Sequence, residues 1–201
     1  MTVGFLFGHL TFALLVFLLI PGVGLAWQLR ALLLVAALGL AFVVVDGLSL
    51  GDYTRSYTDD LAVTTLLWLV WRSGEKLSGR TLACSKQDWG VVWVFAILAL
   101  VLYPATLGLT VLDPYRLGFS PAPMLAVLWL LCLWLWWRKY LLALGLICIA
   151  TGAWLLDVKA SDNYWDYLVD PLLGLYCWGA LLRLAWQFRR RGDRAVPQSA
   201  G

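Results

Sequence analysis

The chain has 201 residues, of which 62% are hydrophobic and 13% are charged, and its formal net charge is +3. This composition excludes an ordinary soluble domain, and the short polar connections leave no room for a separate one. The single histidine, His9, excludes a bis-histidine haem site and a zinc site with two histidine ligands, so we expect neither a metal nor a cofactor.

Seven apolar segments follow one another along the chain. A helix needs about 20 apolar residues to cross the hydrocarbon of a bilayer, and runs without strand-like alternation favour helices. We therefore predict an all-α, polytopic transmembrane helix bundle of about seven spans, at 4–27, 30–48, 58–72, 90–111, 121–137, 139–156 and 170–188. The third span is short, and whether 58–72 crosses fully is left open.

The spans form one predicted transmembrane domain, 1–194, followed by a tail, 195–201, that we expect to be disordered in the cytoplasm. The first apolar run has no basic segment before it and is longer than the core of a usual signal peptide. We therefore expect the first helix to be retained.

Charged residues are sorted between alternate connections. Twelve of the 15 Lys and Arg residues lie in or beside one set of connections, while nine of the 12 acids lie in the other set with only Arg55, Arg116 and Lys159. Positive charge marks the cytoplasmic side of multispanning proteins. This pattern predicts an outside N-terminus and a cytoplasmic C-terminus.

Three acidic connections, 46–60, 113–120 and 157–170, are predicted to face outward. Carboxylates near hydrocarbon are costly unless they are paired, so acids that end a span are candidates for function. We expect the outer face to hold a polar, tyrosine-lined site for a ligand or partner, built from these residues: Asp46, Asp52, Tyr53, Arg55, Asp59, Asp113, Arg116, Asp157, Asp162, Tyr164 and Asp166.

Two of these connections align without gaps at an offset of 111 residues. Asp46 matches Asp157, Tyr53 matches Tyr164, and Leu61 matches Leu172. The match is compatible with a duplicated two-helix unit. Separate outward loops are the favoured explanation of the match, since each such loop needs Asp caps and interfacial Tyr.

The segment Gly47-Leu48-Ser49-Leu50-Gly51 spells G-x-S-x-G, the motif of the serine-hydrolase nucleophile elbow. That motif requires a strand, a sharp turn and a helix, whereas this segment follows a predicted membrane helix. A set of Ser49, His9 and Asp46 at the outer surface is compatible with the topology. A five-residue match of this kind is, however, common by chance in a glycine-rich chain.

These observations favour an integral membrane module whose outer face binds a lipid head group or a periplasmic partner protein. A small-solute or lipid transporter is one alternative, with the break at Pro104 as its candidate site. A membrane-embedded enzyme acting on an outer-leaflet lipid is the other, with Asp46, Asp157 or Ser49 as acid, base or nucleophile.

The expected partners are membrane lipids and a periplasmic or membrane protein, and the basic rim is attributed to lipid head groups, not to nucleic acid. The four cysteines lie in predicted spans or in a basic connection, so disulfides are not expected. Together with the charge pattern, this favours a bacterial inner membrane.

Overall fold

The structure, a computed structural model, describes residues 2–22, 24–80, 85–109 and 111–195. Most of these residues are helical, which confirms the predicted all-α class. The helices are α1 (Thr2–Leu19), α2 (Trp27–Ala41), α3 (Leu50–Thr58), α4 (Val63–Leu77), α5 (Lys86–Thr106), a 3₁₀ helix (Pro114–Phe119), α6 (Pro121–Arg138), α7 (Leu141–Leu155), α8 (Trp165–Leu168) and α9 (Pro171–Ala195).

Two short strands interrupt the first outward connection. β1 (Val44–Val45) pairs antiparallel with β2 (Leu48–Ser49). Asp46 and Gly47 form the turn between them with φ values of 49° and 87°, the left-handed backbone that a tight hairpin favours. The predicted span 30–48 therefore ends early, because α2 stops at Ala41 and the chain folds back.

Other boundaries also differ from the predicted spans. α1 ends at Leu19, two residues before Pro21, and the predicted span 58–72 is replaced by α4 after a break that contains Asp59 at φ 55°. α4 continues past Arg72 because that guanidinium bonds to Glu75 at 2.6 Å and to Asp88 at 3.4 Å. The tail residues 196–201 lie outside the described residues, whereas Ala195 ends α9.

The main core lies around α5, which packs against α7 and α9. Phe95 and Ala99 on α5 and Ile147 on α7 are almost fully buried. α5 and α9 approach closely where a Cβ on Gly174 would lie 3.1 Å from the Cβ of Ala99. This close approach positions the first turn of α9 beside the end of α5 that contains Tyr103.

One helix among the described residues, Lys86–Thr106, is by length and composition long and apolar enough to cross a membrane. The segments Gly4–Leu19, Trp27–Ala41, Ala122–Arg138 and Leu141–Leu155 are apolar but shorter. Large apolar side chains are exposed on several of these helices, including Leu32, Val35, Ile97, Leu100, Trp129 and Leu130.

Candidate functional site

Residues from all three acidic connections surround one cleft of about 640 Å³, here called the acidic cleft. The ends of α3 and α5 and the start of α9 enclose it with the loop before α8. Its polar side chains include four carboxylates and two cations, and they are Arg55, Thr58, Asp59, Asp60, Tyr103, Thr106, Tyr115, Lys159, Ser161, Asp166 and Asp170.

Lys159 joins the separate segments of the cleft. Its ammonium donates to the carbonyl oxygens of Asp60 at 2.6 Å, Leu61 at 3.2 Å and Asp166 at 2.8 Å. These three acceptors use the three donors of an ammonium group. Burial lowers the pKa of Lys159 from its ordinary value, while nearby carboxylates, Asp166 first, oppose that shift.

The second cation, Arg55, forms a two-pronged ion pair with Asp60. Its Nε donates to Oδ1 at 2.8 Å and its Nη2 donates to Oδ2 at 3.2 Å. The hydrogen bond to Asp60 raises the pKa of Arg55, and the charge of Asp60 adds to this effect. Gly4 and Gly8 of α1 leave room for the side chain, since a Cβ on Gly4 would lie 2.7 Å from Arg55 Nη2.

Asp166 is bonded to hydroxyl groups. Tyr115 donates its phenol to both carboxylate oxygens at 3.2 Å, and Ser161 donates its hydroxyl to Oδ2. Burial raises the pKa of Tyr115, and the charge of Asp166 raises it further. Among the described residues, neither Asp166 nor Asp59 has a cationic side-chain partner within 4 Å.

Asp170 fixes the inner wall of the cleft. Its carboxylate accepts from the backbone N–H of Ala62 at 2.9 Å and of Leu173 at 2.8 Å. One side chain thereby caps α9 and ties the start of α4 to the start of α9. Both bonds are buried, so this carboxylate serves the architecture of the wall.

Of the residues that the sequence singled out, Arg55, Asp59 and Asp166 line the acidic cleft. Tyr164 is fully buried and contacts the hydroxyl of Thr151, and Tyr53 donates to the carbonyl oxygen of Val45 at 3.2 Å. The remaining members are not among the residues that line the cleft: Asp46, Asp52, Asp113, Arg116, Asp157 and Asp162.

Asp46 and Asp157, the matched acids of the 111-residue alignment, adopt nearly the same backbone conformation. Their φ values are 49° and 48°; Asp46 lies in the turn after β1, and Asp157 lies two residues after the end of α7. An Asp tolerates this left-handed conformation better than most residues. The match therefore extends to local geometry, although both side chains are exposed and turn formation accounts for them.

Lys159, Tyr115, Ser161 and Asp170 were not in the predicted site. A signal for Lys159 is present in the sequence, because it is the one basic residue in the connection 157–170. A lone cation among carboxylates is expected to be paired with them or with carbonyl groups. The remaining three lie in the cleft only because the loops fold together.

Ser49, from the G-x-S-x-G segment, lies between His9 and Asp52. Its hydroxyl donates to Asp52 Oδ2 at 2.6 Å and is 2.9 Å from His9 Nε2, while His9 Nδ1 is 2.7 Å from the carbonyl oxygen of Phe5. A catalytic triad instead places histidine between serine and carboxylate. Here Ser49 and Asp52 form a capping box at the start of α3, and Asp46 does not take part.

The described residues contain no group of three or more His, Cys, Asp or Glu side chains placed to hold a metal ion. Comparison of the chain with models of protein families, with curated proteins and with solved structures found no match.

Proposed function

We propose that this chain is an integral, multi-pass membrane module that binds the head group of a lipid in its acidic cleft. The observation that carries the proposal is the meeting of three acidic connections at one cleft, at the end of a bundle with apolar sides. The head group of a lipid bound at this end of the bundle would contact carboxylates and phenols, while the acyl chains of the lipid lay along the apolar sides of the helices.

The exposed apolar surface supports the membrane location. Leu32 and Val35 on α2, Ile97 on α5, and Trp129 and Leu130 on α6 are all more than half exposed. Soluble monomers rarely expose contiguous apolar patches of more than a few hundred Å². Lipid chains would cover these faces.

Helix length is the physical difficulty for seven crossings. Helices of 15 residues, such as α2 and α7, are about 22 Å long, whereas the hydrocarbon core is about 30 Å thick. Local thinning of the bilayer and long basic side chains at the helix ends would accommodate the difference. The basic ends would face the cytoplasm of a bacterial inner membrane, with the acidic cleft outside.

The charges of the cleft favour a head group that bears an amine. Both cations are engaged internally, Lys159 by three carbonyl oxygens and Arg55 by Asp60. Asp59 and Asp166 form no ion pair with a described cationic side chain, and the phenols of Tyr103 and Tyr115 lie in the same cleft. An ammonium group, as in phosphatidylethanolamine, would meet acceptors from each side.

Lipid retention in native mass spectrometry tests the proposal. We expect the protein to keep phosphatidylethanolamine in preference to phosphatidylcholine, and Asp59→Asn and Asp166→Asn to reduce that preference by about fivefold each. Asp162→Asn is the matched control, since Asp162 is exposed four residues from Asp166 and is not among the cleft residues. Equal retention of phosphatidylethanolamine by all variants would reject the acidic cleft as the lipid site. A second protein that is retained in stoichiometric amount would instead favour a module that binds a partner protein.

A transporter is the second candidate, favoured by one observation. Pro104 lies inside α5, and its neighbours Tyr103 and Thr106 form part of the wall of the acidic cleft. A proline inside a helix weakens the local backbone hydrogen bonding and permits a bend. Loss of solute or lipid flux from proteoliposomes on Pro104→Ala, with head-group binding retained, would favour transport.

An enzyme acting on a lipid remains the third alternative. It was based on Asp46, Asp157 or Ser49, of which the first two are exposed turn residues and the third caps α3. None of them is among the residues of the acidic cleft. Binding is therefore the function that the geometry favours.

A further inference from the structure

A second cleft lies at the opposite ends of α1 and α4. It has a volume of about 570 Å³ and lies between the residues after α1, the first turn of α2 and the end of α4. Arg30, Lys76 and Arg80 provide three cations there, and no carboxylate is among its described residues. We call it the basic cleft.

Lys76 is committed to the fold. Its ammonium donates to the carbonyl oxygens of Phe17 and Ile20, which are among the last acceptors of α1 and the residues after it. A helix leaves its last four carbonyl groups without intrahelical partners. Lys76 thus caps α1 and holds the base of the basic cleft in place.

The two arginines keep donors for a ligand. Arg30 donates through Nη1 to the carbonyl oxygen of Lys76 at 2.8 Å, and its Nη2 makes no hydrogen bond in the described part of the chain, whereas its unpartnered Nε is buried. Its guanidinium lies against Gly79, where a Cβ would be 2.7 Å from Nη1. Arg80 is exposed at the rim. Guanidinium groups bind phosphate oxygens through paired N–H donors.

An apolar groove adjoins the basic cleft. It has a volume of about 320 Å³, runs between α1, α4 and α9, and shares Leu18 and Leu19 with the basic cleft. Leu15, Trp68, Leu69, Leu172 and Tyr176 form its other apolar walls, and Thr65 and Arg72 are its polar residues. A positively charged cavity that adjoins an apolar one matches a molecule with an anionic head and a hydrocarbon chain.

We propose that the basic cleft and the apolar groove together bind one anionic phospholipid. Its phosphate lies between Arg30 and Arg80, and one acyl chain follows Leu18 and Leu19 into the groove. This site is independent of the acidic cleft, which lies at the other ends of α1 and α4 and has the opposite charge.

Competition in native mass spectrometry tests the proposal with the full-length protein in detergent. We expect phosphatidylglycerol to be retained in preference to phosphatidylcholine. Arg80→Gln should lower that preference about fivefold, since one basic residue near a membrane surface contributes about 1 kcal/mol towards an anionic lipid. Arg138→Gln is the control, because Arg138 is an exposed basic residue at the end of α6, outside the basic cleft. An equal loss in the control would overturn the site and leave only general attraction to the basic rim.

Leu19→Gln separates a lipid from a free phosphate ion. Leu19 is 82% exposed and ends α1, so the fold should tolerate the change. The polar side chain would lie where the two cavities adjoin, so it should weaken the binding of a lipid. It should not weaken the binding of inorganic phosphate. The lipid assignment would be overturned if millimolar inorganic phosphate displaced phosphatidylglycerol and Leu19→Gln left the retention of phosphatidylglycerol unchanged.

Discussion

The ammonium of Lys159 lies 2.6 Å from the backbone carbonyl oxygen of Asp60, a residue 99 positions earlier in the chain. The same ammonium also reaches Leu61 and Asp166. Backbone groups in irregular segments need partners when they are removed from water. One side chain therefore satisfies three carbonyl groups at the point where two acidic connections meet.

Replacement of Lys159 by methionine should destabilise the protein. The change leaves the carbonyl groups of Asp60, Leu61 and Asp166 without their donor, and one hydrogen bond to a charged group contributes about 1.5–3 kcal/mol net to stability. The three contributions do not add, because water that enters the cleft can solvate part of the freed carbonyl groups. We expect a total loss of about 2–3 kcal/mol in denaturant unfolding in detergent. Arg116→Gln, at an exposed basic residue, should change little; equal loss in both variants would contradict this role.

Gly51→Ala should destabilise the protein, because Gly51 lies where α3 packs closely against α1. A Cβ on Gly51 would lie 2.6 Å from Cγ of His9, so α1 and α3 must move apart, at a cost of about 1–3 kcal/mol. Gly39→Ala is the matched control, since Gly39 lies inside α2 with no neighbour within 4 Å of the added atom. That control should gain about 0.5–1 kcal/mol, measured by the same unfolding experiment.

Asp52 should make part of the stability dependent on acid pH. Its hydrogen bond from the Ser49 hydroxyl lowers the pKa of Asp52 below 3.8 in the folded state. The resulting stabilisation is present above pH 3.8 and is lost as the pH falls through the lowered folded value, because the unfolded state binds the proton first. Unfolding midpoints measured from pH 6 to pH 2.5 should fall less steeply in Asp52→Asn than in the parent, and identical slopes would refute the assignment.

The helices could be predicted from the sequence because long apolar runs, prolines and capping residues act locally. Pro21 and Pro104 are visible in the sequence, and so is the capping pair Ser49 and Asp52. The sequence does not predict the short helix α3, since its polar residues lie between two apolar runs, where a loop is expected. A search for apolar membrane spans does not detect α3, because the helix is polar. The capping box at its start is nevertheless a local sequence signal for a helix.

The sequence predicts a polar site at the acidic connections, and the acidic cleft lies there, but which residues line this cleft depends on tertiary structure. Asp59 and Asp166 were singled out because they are acids near apolar segments, whereas Lys159 enters the acidic cleft only when the loop before α8 folds over the break between α3 and α4. The exposed Asp113 and Asp162 have the same local sequence character. Charge and periodicity do not separate acids that face a cavity from acids that face water.

The cap that Lys76 places on α1 has a consequence for biosynthesis. Its acceptor on Phe17 lies 59 residues earlier, so the end of the first helix is translated long before its partner emerges. Until α4 arrives, those carbonyl groups need other partners, which in the proposed membrane location would be water or lipid head groups. Nascent chains arrested before Lys76 should therefore hold α1 with a frayed end, and the last turn of α1 should become ordered only when α4 packs against it.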